Sequence, residues 1–315
     1  MFEEIKSTIY GVAIGDAFGL AHDTKSRQMM KENPVYTIMD GFHEAGTYSD
    51  DTALTLALLD GLSKFEINEE DLMENFFQAA FMNKYAAIEN AGFGFGRTTI
   101  EALSNYKNEI KPWGRSSFHS NGNGALMRHS PVPLYLYYSG ISDDIEKVLS
   151  FSKTITALTH AHPISIIASG IYTLFMIELL KDSSPDVALN RAYDLAKNYY
   201  NRDSITREYF TYFKRLNDLD FHYIDETKIK STGYVIDSLE ASLWSFIPTI
   251  SFKEAIIRAC NLGGDTDTIC AITGSMAALY YGMENIPKDF IIRIKNSQLI
   301  DEMIQKFYDN LCSNF

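Results

Sequence analysis

Cysteine is scarce in this sequence, and its three copies show no pairing pattern. Cys260, Cys270 and Cys312 are odd in number, and none of them stands in a C-x-x-C arrangement. Neither a disulfide framework nor a zinc knuckle is indicated, and a reducing, cytoplasmic location is expected. The N-terminus also lacks a basic stretch followed by an uninterrupted apolar run, which argues against a signal peptide.

Proline is scarce too, and no Gly/Ser-rich or single-sign charged linker divides the chain. With 8 prolines in 315 residues and no visible boundary, we predict a single domain over residues 1–315. Period-two alternation is almost absent, so no sheet is expected. Apolar residues instead recur at helical spacing, which predicts an all-α fold. The helical patterns span residues 5–14, 53–62, 72–88, 98–103, 164–180, 187–199, 235–246, 252–260, 268–281 and 290–311.

The boundaries between these helical patterns are less sharply marked. Ser184-Pro185 and Asp289 resemble helix starts, because a small oxygen-bearing side chain can accept hydrogen bonds from first-turn amides. The polar stretches 23–46, 107–124 and 201–231 are predicted to be loops or short irregular elements.

The chain contains no uninterrupted apolar run long enough to span a membrane. The nearest candidate, residues 164–180, includes Ser165, Gly170 and Glu178, so we interpret it as a buried core helix. An excess of basic residues is also missing, since the formal net charge is −13. Stable nucleic-acid binding is not expected, because it requires Lys and Arg to replace counterions along phosphates. With 46% hydrophobic and 22% charged residues, the composition predicts a globular protein with a sizeable core.

The first motif with chemical content is Ser49-Asp50-Asp51-Thr52, which stands immediately before an apolar helical run. It places one hydroxyl and two carboxylates at the beginning of a helix. Capping the helix requires only one of these side chains, and two adjacent carboxylates repel each other unless a cation lies between them. A helix cap and a metal site both remain open from this motif alone.

A second acidic cluster, Gly263-Gly264-Asp265-Thr266-Asp267-Thr268, again precedes a strongly apolar helix. Hard cations such as Mg²⁺ or Mn²⁺ prefer oxygen ligands, and two neighbouring ions need about this supply of carboxylates and hydroxyls. The paired glycines let the backbone turn tightly. An EF-hand is excluded, because its spacing of acids and its closing Glu are missing. The two oxygen-rich helix starts together therefore favour a two-metal centre.

The N-terminal segment spaces Gly11, Gly15 and Gly19 four residues apart. This spacing puts them on one face of a helix and predicts close packing against another helix. A dinucleotide-binding fold is only weakly supported, because no β-strand precedes the glycines. Asp16 and Asp23 add carboxylates that either face the metals or solvate a helix end.

Two glycine-rich turns, at residues 92–99 and 121–128, lead into apolar runs. Both can present backbone amides to phosphate, which would let an acidic protein bind a pyrophosphate without a basic surface. Plain tight turns explain either motif equally well. The candidate substrate-binding glycines are Gly94 and Gly96 in the first turn and Gly122 and Gly124 in the second.

Two imidazoles, those of His160 and His162, stand two residues apart before another apolar run. No third soft ligand follows at a spacing useful for zinc. We expect one histidine to hydrogen-bond a substrate and the other to pack structurally. Tyr234 opens a later helix, where it either stacks on a base or belongs to the core, the commoner place for an aromatic ring.

Taken together and in this order, the motifs resemble those of the ADP-ribosylglycohydrolase family, whose bacterial prototype is the dinitrogenase reductase-activating glycohydrolase. The resemblance covers nearly the whole chain. It rests on five segments: Gly15-Asp16-Ala17-Phe18-Gly19, Ser49-Asp50-Asp51-Thr52, Asn123-Gly124-Ala125-Leu126-Met127-Arg128, Thr159-His160-Ala161-His162-Pro163 and Gly263-Gly264-Asp265-Thr266-Asp267-Thr268.

The resemblance implies a compact orthogonal bundle of helices with two bound metal ions, Mg²⁺ in the first place and Mn²⁺ as the alternative. The implied metal ligands are Ser49, Asp50, Asp51, Asp265, Asp267 and Thr268. ADP-ribose would lie across the metals with Tyr234 beside the nucleotide. Its phosphates would lie near Gly122, Asn123, Gly124 and His160.

The implied reaction is hydrolysis of the glycosidic bond that joins ADP-ribose to an amino-acid side chain, arginine in the first place. Asp23, Asp50 and Asp267 are the implied catalytic residues. The expected partner of this monomeric enzyme is an ADP-ribosylated protein or a small ADP-ribose conjugate.

The sequence departs from the family pattern at the acceptor side of the site. Asp23 stands where the family commonly carries Glu, and the acid that precedes the Gly-x-Thr element of the prototype is replaced by Gly94 and Phe95. Ala21 and Ser49 replace the commoner Pro and Thr. Whether the amino acid that carries the ADP-ribose is arginine, serine or another acceptor therefore stays open. A non-catalytic ADP-ribose-binding module and a two-metal hydrolase of another glycoside or phosphoester are the alternatives.

Overall fold

The computed structural model describes residues 1–38, 41, 43–88 and 93–314. Gly92, at the start of the predicted 92–99 turn, lies outside the described residues, as do residues 39, 40 and 42 of the predicted 23–46 loop. The described residues contain α-helices, short 3₁₀ segments and two isolated β-bridges, but no β-strand. The helices are α1 (Phe2–Leu20), α2 (Arg27–Glu32), α3 (Asp50–Leu62), α4 (Glu69–Met82), α5 (Arg97–Lys107), α6 (Pro131–Tyr138), α7 (Ile145–Ala157), α8 (Pro163–Leu180), α9 (Pro185–Tyr200), α10 (Ser204–Phe210), α11 (Val235–Phe246), α12 (Phe252–Cys260), α13 (Thr266–Tyr281), α14 (Lys288–Arg293) and α15 (Ser297–Asn314).

Helices α1 and α13 make the most extensive contact in the fold, and the N-terminal glycines explain it. A Cβ atom at Gly11 would lie 2.2 Å from the Gly274 carbonyl oxygen, and one at Gly15 would lie 2.0 Å from the Cys270 carbonyl oxygen. Any side chain at these positions would push the helices apart. The predicted close packing is confirmed, and it brings the C-terminal end of α1 to the first turn of α13.

Helix α8 passes through the protein core. It is the one helix among the described residues that is long and apolar enough to cross a membrane, yet 89% of its Pro163–Leu180 span is buried inside the protein. It packs against α6, α7, α9, α11 and α13. The prediction of a buried core helix over residues 164–180 is confirmed.

The predicted helix over residues 290–311 is wrong in one respect, because the chain forms two helices there. Asn296, between α14 and α15, adopts a left-handed conformation with φ of 52°, and its side chain donates a hydrogen bond to the Ala86 carbonyl at 2.9 Å. The Lys295 amide donates to the Gly46 carbonyl at 2.9 Å. Tertiary hydrogen bonds thus interrupt an otherwise continuous helical pattern. Asp289 lies inside the first turn of α14, whose N-cap is Pro287.

Two other boundaries differ from the prediction. Helix α4 ends at Met82, because Asn83 adopts the left-handed conformation that terminates helices. The polar stretches predicted as loops contain two short helices, α2 and α10. Ser184 precedes α9 as predicted, although its side chain makes no capping hydrogen bond.

Candidate functional site

The N-terminus of α3 is capped by a carboxylate from another helix. Ser49 occupies the N-cap position, but its side chain makes no capping hydrogen bond. The fully buried Asp16 of α1 accepts instead, from the Ser49 amide at 2.9 Å, the Thr52 amide at 3.0 Å and the Thr52 hydroxyl at 2.7 Å. A side-chain cap by Ser49 is therefore ruled out, and the buried Asp16 caps the start of α3 instead.

This arrangement leaves the side chains of the first motif available for other contacts. The Ser49 hydroxyl donates to Asp51 Oδ2 at 3.1 Å. Asp51 Oδ1 is buried and has no hydrogen-bond partner among the described residues. A buried carboxylate oxygen without a donor is costly. Its environment fits a bound cation.

A backbone clamp brings Asp23 to the second acidic motif. The Thr24 amide donates to the Gly264 carbonyl at 2.8 Å, and the Gly264 amide donates to the Lys25 carbonyl at 2.8 Å. Gly264 has a φ of 81°, and a Cβ there would lie 2.0 Å from the Ser231 carbonyl oxygen. The tight turn predicted from the paired glycines is thus needed for this pairing, which sets Asp23 beside the start of α13.

The acids that follow this turn point into a common space. Asp265 is the N-cap residue of α13 but makes no capping hydrogen bond, and one oxygen each from Asp23, Asp265 and Asp267 lie within 4.8 Å of one another. The Thr268 amide donates to Asp267 Oδ1 at 2.9 Å. The possible ligand atoms of Asp23, Asp265 and Asp267 are all carboxylate oxygens, so this acidic group is able to hold a hard metal ion.

The carboxylates of the two helix starts also act on each other electrostatically. Burial raises the pKa of Asp51 well above its usual value, and the charges of Asp16 and Asp267 raise it further. Burial likewise raises the pKa of Asp50, with Asp16 as the next cause. The pKa of Asp267 is raised by burial and by Asp265 and Asp23. Buried carboxylates that repel one another are stabilised by a cation.

Asp23 itself is half-buried at the edge of this cluster. Burial and the neighbouring charge of Asp265 raise the pKa of its carboxyl, against a hydrogen bond from the Thr24 amide. The shorter side chain relative to Glu does not remove it from the cluster, because the backbone clamp carries it there.

The predicted ligand-binding residues of the 121–128 turn lie together beside this acidic group. The Asn123 amide donates to the Gly233 carbonyl at 3.1 Å, and Gly122 forms an isolated β-bridge with Tyr234. The Asn123 side chain donates to Asp265 Oδ2 at 2.5 Å. Asn123 thus connects the 122–124 turn directly to an acid of the predicted metal centre.

His160 lies on the other side of this turn. Its Nε2 would be 3.4 Å from a Cβ at Gly124 and 3.8 Å from one at Gly122. The hydroxyl of Thr99 would be 3.0 Å from the same Gly124 position, and this oxygen is buried without a partner among the described residues. Sequence reasoning missed Thr99, although it immediately follows the Gly-x-Thr element.

His162 behaves differently from His160. It is the N-cap of α8, and its Nδ1 accepts from the Ile164 amide at 3.2 Å. Its ring packs edge-on against Phe118 and Tyr209, with centroid distances of 5.8 and 4.8 Å. The structure thus gives His162 the packing role predicted for one of the two histidines, while His160 lies against the 122–124 turn.

The two predicted substrate-binding glycines of the 92–99 turn, Gly94 and Gly96, have different surroundings. Gly94 lies against Asp50, since a Cβ at this position would be 2.2 Å from Asp50 Oδ1. Gly96 is the N-cap of α5 and has no atom within 4 Å of its Cβ position. A substrate-binding role for these two glycines stays a prediction.

Arg128 is a buried cation that sequence reasoning did not single out. Its side chain is 0% exposed, its guanidinium carbon lies 4.1 Å from the centroid of the Phe76 ring, and its Nη2 donates to the Thr159 hydroxyl at 2.8 Å. Burial lowers its pKa to about 9, and the charge of Asp50 opposes that shift. The available signal was a charged residue at the end of an apolar motif.

Fold and site together define an all-α protein in which two helix starts and the loop after α1 form an acidic centre. The sequence profile described as "ADP-ribosylglycohydrolase" matches residues 1–314. The chain belongs to the ADP-ribosylglycohydrolase family and is an enzyme that acts on glycosidic bonds. The predicted family and the all-α fold are confirmed.

Named relatives agree with this assignment. The chain is 26% identical to the ADP-ribosylarginine hydrolase Tri1 of Serratia proteamaculans, over 97% of this chain and 79% of the relative. It is 25% identical to the ADP-ribosyl-[dinitrogen reductase] glycohydrolase of Rhodospirillum rubrum, over 90% and 87%. A solved structure called "ADP-ribosylglycohydrolase-related protein complex" has the same fold, with a TM-score of 0.77 and 22% identity over 100% of this chain and 99% of that one.

Proposed function

We propose that this enzyme hydrolyses the glycosidic bond between ADP-ribose and an arginine side chain, in a modified protein or a small conjugate. The observation that carries the proposal is the convergence of Asp23, Asp265 and Asp267, one oxygen each within 4.8 Å, beside the buried acids of α3. The names of the Serratia and Rhodospirillum relatives support ADP-ribose as the released group, and the first of them supports arginine as the acceptor.

We assign the centre two Mg²⁺ ions, with Mn²⁺ as the alternative metal. The residues that would hold them are Ser49, Asp50, Asp51, Asp265, Asp267 and Thr268. The unpartnered Asp51 Oδ1 and the mutual repulsion of the buried acids support this donor set. When bound, such ions fix hydroxyl oxygens of a ligand and lower the pKa of a bound water.

The acidic residues of the protein have different proposed roles in the reaction. Asp23 stands at the half-exposed edge of the acidic group, where its carboxylate can take a proton from a water whose oxygen bonds to the ribose carbon. The carbon–nitrogen bond breaks with its electron pair going to the nitrogen, and Asp23 can return the proton to the departing guanidine. This bond cleavage develops positive charge on the ribose. Asp50 and Asp267, as ligands of the proposed metal ions, would contribute to catalysis by keeping the bound ADP-ribose oriented toward Asp23.

The 122–124 turn would receive the phosphates. Gly122 and Gly124 leave open backbone next to His160, and a side chain at Gly124 would press against the imidazole ring. Asn123 holds the turn to Asp265. Tyr234, paired with Gly122 through the β-bridge, would border the nucleotide.

The test incubates purified protein and Mg²⁺ with arginine- and serine-ADP-ribosylated peptides and measures free ADP-ribose. We expect release from the arginine peptide, and loss of release in Asp267→Asn. Asp289→Asn, on the exposed face of α14, is the matched control and should retain activity. Binding without release would contradict the hydrolase proposal, and release from the serine peptide alone would contradict the arginine assignment.

A further inference from the structure

Two hydrogen bonds link three buried polar side chains in a row that ends at the 122–124 turn. We call these side chains, Arg128, Thr159 and His160, the relay. Arg128 and Thr159 are 0% exposed and His160 is 2% exposed. The Arg128 Nη2 lies 2.8 Å from the Thr159 hydroxyl oxygen, which in turn lies 2.8 Å from His160 Nδ1. These contacts connect the protein interior to the imidazole that lies against the 122–124 turn.

The inventory of hydrogen atoms determines the direction of both hydrogen bonds. A guanidinium group has donors only, so the Thr159 oxygen accepts from Arg128. A hydroxyl carries one hydrogen atom, and among the described residues His160 Nδ1 is the one acceptor within hydrogen-bonding distance of it. If Nδ1 carried a proton, the buried Thr159 hydroxyl hydrogen would have no acceptor, which is unfavourable for a buried donor. Thr159 therefore donates to Nδ1.

We infer that Arg128 and Thr159 are positioning residues that hold His160 as a neutral imidazole with its proton on Nε2, so that the ring donates a hydrogen bond to a phosphate oxygen of the ligand. The identity of the ligand rests on the proposed function. The tautomer itself rests on the contacts of Thr159 alone.

The surroundings of the ring agree with this role. Nε2 has no hydrogen-bond partner among the described residues, and it lies 3.8 and 3.4 Å from the positions that Cβ atoms at Gly122 and Gly124 would occupy. Burial and the charge of Arg128 lower the pKa of His160 to about 3, so the ring is neutral at physiological pH and only one nitrogen can donate. The opposite tautomer would present a lone pair to an anionic oxygen and repel it.

Arg128 is suited to hold the hydrogen-bonded side chains of Thr159 and His160 in one orientation. Its planar guanidinium lies over the Phe76 ring at 4.1 Å, a contact that a lysine ammonium would not reproduce in the same geometry. The guanidinium is therefore held between an aromatic face and the Thr159 hydroxyl. A change in this distant residue should reach the ligand through the orientation of His160.

The tautomer can be measured directly in the whole protein. Long-range ¹H–¹⁵N correlation spectra of ¹⁵N-histidine-labelled protein distinguish a protonated ring nitrogen from an unprotonated one, and His160→Gln identifies the His160 signals by their loss. We expect Nε2 to be protonated and Nδ1 unprotonated between pH 6 and 8. A protonated Nδ1 in the wild-type protein would overturn the inference without the need for any variant of the relay.

Variants of Thr159 then test the connection to the ligand, with free ADP-ribose as the probe and calorimetry as the measurement. Thr159→Val removes the donor, so Nδ1 protonation should appear in the spectra and the Kd for ADP-ribose should rise about tenfold. Thr159→Ser keeps the hydroxyl and should restore both. An unchanged tautomer in Thr159→Val would overturn the relay, and an unchanged Kd would overturn its role in binding.

These outcomes separate the inference from the proposed function. If the wild-type tautomer is as expected but ADP-ribose does not bind, the relay stands and the proposed ligand is wrong. If ADP-ribose binds with the opposite tautomer, the proposed function stands and the relay is wrong.

Discussion

The α-carbon of Gly94 lies directly against the carboxylate of Asp50. A Cβ atom at position 94 would be 2.2 Å from Asp50 Oδ1, and the glycine has a φ of 95°. The turn before α5 therefore limits where the Asp50 side chain can lie, although the two residues are far apart in sequence.

We expect Gly94→Ala to displace Asp50 and slow ADP-ribose release about 100-fold, because small misplacements in an active site have effects of this order. The added methyl group cannot fit without movement of the turn or of the carboxylate. Release of ADP-ribose from an arginine-modified peptide measures the effect, and circular dichroism checks that the helical fold is kept.

Gly140→Ala is the matched control for this prediction. Gly140 also has a positive φ, of 73°, but nothing lies within 4 Å of its Cβ position. The substitution introduces the backbone strain alone and should cost about 1 kcal/mol of stability while activity is retained. Equal activity losses in the two variants would attribute the Gly94 effect to strain and contradict the proposed contact.

Asp16→Ala should destabilise the protein by about 3 kcal/mol, because it leaves the buried amides of Ser49 and Thr52 without an acceptor. Burial raises the pKa of Asp16 to about 6, while its hydrogen bonds from Thr52 and Ser49 oppose that shift. The predicted loss is therefore smaller than the full cost of leaving these three donor groups without an acceptor. Urea unfolding without Mg²⁺ measures it.

Asp144→Ala provides the comparison, since Asp144 caps α7 through one exposed hydrogen bond from the Lys147 amide at 3.1 Å. A loss of about 1 kcal/mol is typical of such a cap. Asp16 would not be the anchor of α3 if its replacement cost no more than that of Asp144.

The two acidic helix starts could be predicted from the sequence because each is a local motif next to an apolar run. Asp16 and Arg128 could not be assigned in the same way. The partners of Asp16 are the amides of α3, and those of Arg128 are Phe76 and a hydroxyl of a later loop. These roles depend on which helices pack together, which local spacing does not determine.

Helices α6 and α7 were not predicted from the sequence, and each omission has a physical reason. Helix α6 begins Pro131-Val132-Pro133, and two prolines in one turn are as typical of a loop as of a helix start. Helix α7 buries Ser152 and Thr156, so its core-facing side is only partly apolar. Thr156 satisfies its hydroxyl by donating to the Ser152 carbonyl at 2.8 Å, an arrangement that hydrophobic periodicity does not detect.

His129→Gln should reduce the acid sensitivity of the fold. Burial and the charge of Arg128 lower the pKa of His129 to about 3. The folded protein therefore keeps this ring neutral where the unfolded chain, with a histidine pKa of about 6.5, takes up a proton. The stability that depends on the neutral ring is fully present above pH 6.5 and is lost as the pH falls from there toward 3.

The measurement is the free energy of unfolding in urea at pH 4.5, 5.5 and 7. The difference between wild type and His129→Gln should shrink by about 1.4 kcal/mol per pH unit below 6. His119→Gln, at an exposed position, controls for the substitution itself. Parallel pH profiles for wild type and His129→Gln would contradict the buried neutral ring.

Asp51→Asn should have opposite effects on the metal-free and the Mg²⁺-bound protein. Asp51 is buried among other acids, and its pKa is raised by burial and then by Asp16 and Asp267. Removing its charge relieves this repulsion, so the metal-free variant should be more stable than the metal-free wild type by about 1 kcal/mol.

The same substitution removes a proposed ligand, so added Mg²⁺ should no longer stabilise the protein. Thermal unfolding with EDTA, and with Mg²⁺ at about 100 times the Kd measured for wild type, tests both expectations, since wild type would gain about 2.7 kcal/mol at that ratio. Asp194→Asn, exposed on α9, should respond to Mg²⁺ as wild type does. A Mg²⁺-dependent rise in Tm that persists in Asp51→Asn would remove Asp51 from the metal centre, and a less stable metal-free variant would mean that its carboxylate stabilises the fold without any metal.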